Sequence, residues 1–246
     1  KGKIFTEACA IFLRLLKGDA LSSAEIPPTT LARDDFRSEE DWQRVEAAWT
    51  SQRGGEAPAS MEIDPRFSFE RLKIIPQEWR RELLDLVVGS HDPKLQEMVN
   101  GILPVKVFNL SITDPDLIES THARMAEAFH PDGGAWERSF MPRTTMVFLD
   151  ADGDAARARA CSALGEYWKA LEGTLDPAKV ERATENALVG TPEEVAEQAA
   201  TRFHPEEKLM LWFDFQDHDC ARVIRGMTSF QKEVAPALAA VGPTHA

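Results

Sequence analysis

The chain has 246 residues, 43% of them hydrophobic and 28% charged, a globular makeup that excludes wholesale disorder and allows one or two domains. A net charge of −13 disfavours nucleic acid and anionic membranes as partners unless a local basic patch opposes it, and the basic pair Arg80-Arg81 is flanked by Glu78 and Glu82. No apolar run reaches the roughly 20 residues that span a bilayer, the first residues carry no signal-peptide pattern, and the widely spaced Cys9, Cys161 and Cys220 fit neither a disulfide framework nor a C-x-x-C site, so a cytoplasmic location is expected. At the amino terminus, Ile4, Phe5, Ala8, Ile11, Phe12, Leu15 and Leu16 share one helical face that stops at Gly18. A chain that opens on a core helix without an initiator methionine reads as starting part-way through its fold.

Residues 18–66 read as an irregular excursion or lid, with Pro27-Pro28, a Gly54-Gly55 stretch and one short helix over 39–49. Regular alternation follows. Apolar runs predict strands over 83–88, 104–110, 143–149 and 208–215, and helical patterns lie over 93–100, 115–129, 154–171, 192–203 and 220–238. Continuous apolar strands separated by helices imply a parallel sheet covered on its faces. Thr191-Pro192-Glu193-Glu194 reads as a capping box with proline at the first helical position.

In parallel α/β folds the reactive groups sit at the carboxyl ends of strands. After the first predicted strand comes Gly89-Ser90-His91-Asp92-Pro93. The glycine lets a ligand approach the backbone, Ser90 offers a hydroxyl, and free amides at the start of the next helix suit a phosphate. An ordinary capped strand-to-helix turn would use the same residues. Asn109, Leu110, Ser111, Asp150, Asp214, Phe215 and Gln216 end the other strands, where turn and cap roles compete with ligand contact. The acidic string from Asp214 to Cys220 has no partner motif, so no metal site is expected. No histidine stands at a spacing that marks a nucleophilic triad, and Gly-x-Gly-x-x-Gly and Walker motifs are absent, which disfavours a Rossmann domain or a P-loop.

Four stretches in order carry a resemblance. They are Phe5 to Leu16; Phe69 to Pro76 with Leu86-Val87-Val88-Gly89-Ser90-His91-Asp92-Pro93; Ala187 to Ala196; and Phe230 to Leu238. In this order they resemble the carboxyl-terminal part of the luciferase-like monooxygenase family, flavin- or deazaflavin-dependent barrels that include bacterial luciferase. The likeness is poor between residues 18 and 66.

The resemblance implies a (β/α)8 TIM-barrel type fold of which only about four later strands are present. The chain 1–246 would then be one barrel domain lacking its amino-terminal strands. It places a cofactor phosphate against the Ser90 hydroxyl and the amides of Gly89 and His91. It further implies an oxidoreductase, a monooxygenase using reduced FMN or the deazaflavin F420 with oxygen on a small organic substrate, supplied by a flavin reductase or another source of reduced cofactor, in a homo- or hetero-oligomer. The catalytic residues are unknown, because the family's usual catalytic histidine lies on amino-terminal strands with no counterpart here. Some relatives also carry an acidic residue where Gly89 stands. A non-catalytic flavin-binding or partner subunit is the alternative, and an unrelated α/β interaction domain the third reading.

Overall fold

Capping chemistry sets the first helices. Helix α1, Gly2–Lys17, stops where Gly18 adopts φ 109, a conformation that favours glycine. The computed structural model describes residues 2–36, 38–63, 68–172 and 177–241. These fall into two units, 1–84 with 101–103 and 85–100 with 104–246.

In the first unit the segment expected to be irregular is built. Strand β1, Thr29–Ala32, is followed by α2, Glu39–Arg53, and by β2, Ser60–Ile63, which pairs antiparallel with β1 from Thr29–Ile63 to Ala32–Ser60. Four-residue strands carry too little periodicity to be read before their partner is known. Helix α2 is capped by Ser38, which accepts from the Asp41 amide at 3.1 Å, and it runs one turn beyond the expected 39–49, until Gly54 turns the chain at φ 71. Its first turn is acidic and its last carries Arg53, matching the helix dipole. The expected apolar face of α1 is only partly used. Leu13 and Leu16 are buried, whereas Ile4, Phe5 and Phe12 stay 40, 48 and 54% exposed.

The second unit holds the parallel strands. Strand β3, Val87–Val88, leads through α3, Pro93–Asn100, to β4, Lys106–Val107, and the two strands pair in parallel. Then come α4, Pro115–Ala128; β5, Arg143–Leu149; α5, Gly153–Ala170; α6, Pro177–Glu185; β6, Leu188–Gly190; α7, Pro192–Arg202; β7, Leu209–Trp212; α8, Cys220–Ser229; and α9, Ala235–Val241. Strand β5 is central, parallel to β6 and to β7. The Thr144 amide donates to Asn109 and the Asp150 amide to Gly190, so β5 presents one edge to the end of β4 and to β6. Arg143 donates to Lys208 across the other edge, toward β7. Strands β3, β4 and β5 therefore follow one another in chain order, all parallel, whereas β6 returns to the β4 edge of β5 and β7 takes the opposite edge.

A singly wound barrel would instead place β6 between β5 and β7. Closure is not seen among the described residues, and helices cover both faces of β5. Val147 and Leu149 pack with Val195 and Ala199 of α7, whereas Met146 and Phe148, on the opposite face, pack with Ala160 and Leu164 of α5 and Ala183 of α6. A closed (β/α)8 cylinder leaves its inner face to side chains alone. The expected four strands each overlap an observed one, but β1, β2 and β6 were not expected, and the first two shrink to two residues each. Leu83 belongs to a 3-10 turn, Arg81–Leu83, and both Leu83 and Leu84 are exposed, so apolar content there did not mean a strand.

The closing helix is not continuous over 220–238. A π-helical turn, Phe230–Val234, separates α8 from α9 and buries both Phe230 and Val234. Pro236 explains it: a proline has no amide to donate and its ring crowds the carbonyl four residues earlier, that of Lys232, so a wider turn relieves the conflict. The capping box at the start of α7 forms as expected. The Glu194 amide donates to the Thr191 hydroxyl and the Thr191 amide donates to the Glu194 carboxylate at 2.8 Å.

Candidate functional site

The corner between β3 and α3 is open. Gly89 is exposed, and a Cβ added to it would meet nothing within 4 Å. The amides of Gly89, Ser90 and His91 donate to no other described residue. The Ser90 hydroxyl oxygen accepts from the Asp92 amide at 3.3 Å, which leaves the hydroxyl proton free to donate. Asp92 acts as the cap: its carboxylate accepts from Lys94 at 3.0 Å and its carbonyl from Gln96 at 3.0 Å. Pro93 then opens α3, where the missing amide costs nothing.

Beneath this corner lies a polar network built by α3 and α4. The side-chain amide of Gln96, fully buried, donates to the Ser90 carbonyl at 2.7 Å, which turns that carbonyl inward. The Gln96 side-chain oxygen accepts from the Arg124 guanidinium, which also donates to the Thr121 hydroxyl at 3.4 Å. The same hydroxyl lies 3.4 Å from Nδ1 of His91, whose Nε2 is buried without a partner among the described residues. Burial first, and then the charge of Arg124, push the His91 imidazole below its usual range, so the ring is neutral near pH 7.

At the far end of α3, buried Asn100 donates to the carbonyls of Gln96 and Val105, both at 3.0 Å, and accepts from the amides of Val105 at 3.1 Å and His130 at 3.3 Å. That side chain ties the helix to the start of β4 and so fixes where the corner sits.

No protein-family model matches the chain, and no curated protein does. Among solved structures, the monooxygenase RslO1 from Streptomyces bottropensis matches 85% of this chain and 67% of its own, with 18% identity and a TM-score of 0.57. The chain has the luciferase-like fold. Two others overlay less well. The oxygenating constituent of 3,6-diketocamphane monooxygenase from Pseudomonas putida, solved in complex with FMN, has 17% identity and a TM-score of 0.46 over 80% of this chain and 62% of its own. The coenzyme F420 dependent tetrahydromethanopterin reductase from Methanopyrus kandleri has 12% identity and a TM-score of 0.41 over 96% and 63%. The chain thus spans about two thirds or less of the length of these structures.

On the luciferase-like scaffold, several of the other strand ends are engaged structurally, whereas Leu110 is exposed. Asn109 is fully buried and donates to the Met141 carbonyl at 3.2 Å, and Ser111 accepts from Asn186 at 2.9 Å. Asp150 is paired with Arg159 at 2.6 Å. Asp217 receives two hydrogen bonds from Arg222, at 2.7 and 2.6 Å, which lower its carboxyl to about 2, and Asp219 caps α8. Phe215 is buried against Phe148, and Gln216 turns the chain at φ 52. Among the described residues no three His, Cys, Asp or Glu side chains stand together to hold a metal ion, and no helix is long and apolar enough to cross a membrane.

Sequence reasoning named the corner residues and missed those behind them. Gln96 and Asn100 stand one turn apart on the face of α3 that also buries Leu95 and Val99. A polar pair on a buried helical face was the available signal. Nothing in the sequence marked Thr121 or Arg124.

Proposed function

We propose that the chain is the phosphate-holding part of a luciferase-like oxidoreductase, a monooxygenase that uses reduced FMN, or the deazaflavin F420, with oxygen on a small organic substrate. The observation that carries this reading is the corner at Gly89, Ser90 and His91, where three amides and a hydroxyl proton are uncommitted and the space above the glycine is open among the described residues. Free amides in the turn that leads into a helix suit an anion. Two buried nitrogens without partners, Nε2 of His91 and Nε of Arg124, fit a site that receives a polar group.

The flavin or deazaflavin supplies the electron chemistry when bound. The chain's own part is to hold the phosphate tail with the amides and Ser90, to orient the ring system from that anchor, and to keep His91 neutral beside it. Reduced cofactor would come from a flavin reductase or an equivalent supply. The unpaired cysteines Cys9, Cys161 and Cys220 agree with a reducing, cytoplasmic setting. Segment 18–66 would serve as a lid.

The test is a titration with FMN and F420 followed by reductase-coupled oxygen consumption. Ser90→Ala should weaken FMN binding by about 1–2 kcal/mol, roughly five- to thirty-fold, since a hydrogen bond to a charged group is lost. Unchanged affinity would remove Ser90 from the site.

A second reading, a partner subunit that binds flavin without turnover, is favoured by the edge of β7, which pairs with no other strand among the described residues. Met210 and Trp212 there are 48 and 43% exposed, and Leu211, Phe213, Ile224, Met227 and Phe230 line an apolar groove of about 510 Å³ between β7 and α8. Binding without oxygen consumption, together with a hetero-oligomer in solution, would support it.

A further inference from the structure

Arg124 is a half-buried cation without an acidic partner. It donates to the neutral Gln96 and Thr121 side chains, no carboxylate among the described residues pairs with it, and its Nε is buried with no acceptor among them. The other half-buried or buried arginines of this unit differ: Arg138, Arg143, Arg159, Arg182 and Arg222 each hold a carboxylate. A partly buried guanidinium without a counter-ion is costly, so an anion that the protein itself does not supply would be favoured beside it.

The network shows where that anion would lie. Gln96 is a rigid amide clamped at both ends, accepting from Arg124 and donating to the carbonyl of Ser90. That bond takes up the Ser90 carbonyl and leaves the corner amides without acceptors among the described residues, and the polarised side-chain amide carries the positive end of the chain toward the same place. Thr121 joins Arg124 to His91 on the other side, so both branches of the network end on the residues of the corner. The charge of Arg124 also disfavours a proton on His91, which reserves the positive potential for the incoming group.

We infer that Arg124 is the counter-charge of the cofactor phosphate, and that Arg124 and Gln96 are positioning residues that set phosphate preference without touching the ring system. The inference rests on the reading of the corner given under Proposed function and names the residues that make it selective for a phosphate ester.

The test compares FMN with riboflavin, which has the same ring system and no phosphate, by fluorescence titration of the full chain. The unaltered chain should prefer FMN. Arg124→Gln, which keeps the hydrogen-bonding capacity and removes the charge, should cut that preference about tenfold, or about 1.4 kcal/mol, while riboflavin affinity stays unchanged. Arg124→Lys should retain most of it, and Arg124→Met serves in place of the glutamine variant should that one not fold. A structural role alone would lower both affinities together. An unchanged ratio in a folded, uncharged variant would overturn this inference and leave the corner standing. No preference for FMN in the unaltered chain would overturn the corner reading as well.

Discussion

Asn100→Leu, a change of little volume, should cost about 3–5 kcal/mol in urea denaturation, because it strands the Val105 amide and carbonyl and the His130 amide in the interior, at about 1–3 kcal/mol for each unsatisfied group. The side chain is 3% exposed, so water does not readily replace the lost partners. The effect should extend to the site, since Asn100 ends the same helix whose first turn forms the corner and whose Gln96 holds the Ser90 carbonyl. A loss below about 1 kcal/mol would mean that the α3 to β4 connection re-solvates and that Asn100 does not fix the corner.

The second large effect lies at the opposite end of the strands. Arg143 begins β5 and Glu207 precedes β7, and their side chains, 5 and 4% exposed, meet at 2.6 Å across the seam between those strands. The guanidinium also lies over the Phe203 ring at 5.1 Å. Burial raises the Glu207 carboxyl and lowers the Arg143 guanidinium, each opposed by the other's charge. The contact lacks good hydrogen-bond alignment at Nε and Oε1, so charge is what holds it. Glu207→Ala leaves an isolated buried cation and should destabilise by about 3–5 kcal/mol, whereas the double variant Arg143→Met with Glu207→Leu should be close to neutral or more stable. Equal losses in the single and double variants, measured by chemical denaturation, would show that the pair contributes through shape and not through charge.

The pattern of legibility follows the physics of each element. Strand β5 was bounded to the residue, because its nearly complete burial makes Met146 to Leu149 a continuous apolar run behind the β-branched Thr144 and Thr145. Helix α3 was also bounded correctly, since Asp92 and Pro93 announce its start. The β1–β2 pair was illegible because its four-residue strands become strands only through each other. The break at Phe230–Val234 was missed because apolar periodicity continues through it, although Pro236 gave notice. At the site, Gly89 and Ser90 could be read from turn chemistry, which is local. Arg124 could not, because its meaning comes from a missing carboxylate, and absence of a spatial partner has no sequence signature.

The central claim is that a phosphate-bearing cofactor docks on the amides of Gly89, Ser90 and His91. Amide chemical-shift mapping of the nitrogen-15-labelled chain during FMN addition tests it most directly. The account predicts that the amides of Ser90 and His91 move first and farthest, with smaller shifts in Gln96 and Arg124 side-chain resonances. Shifts confined to the ends of β5 and β7 or to the groove beside α8, with residues 89–91 unmoved, would contradict it.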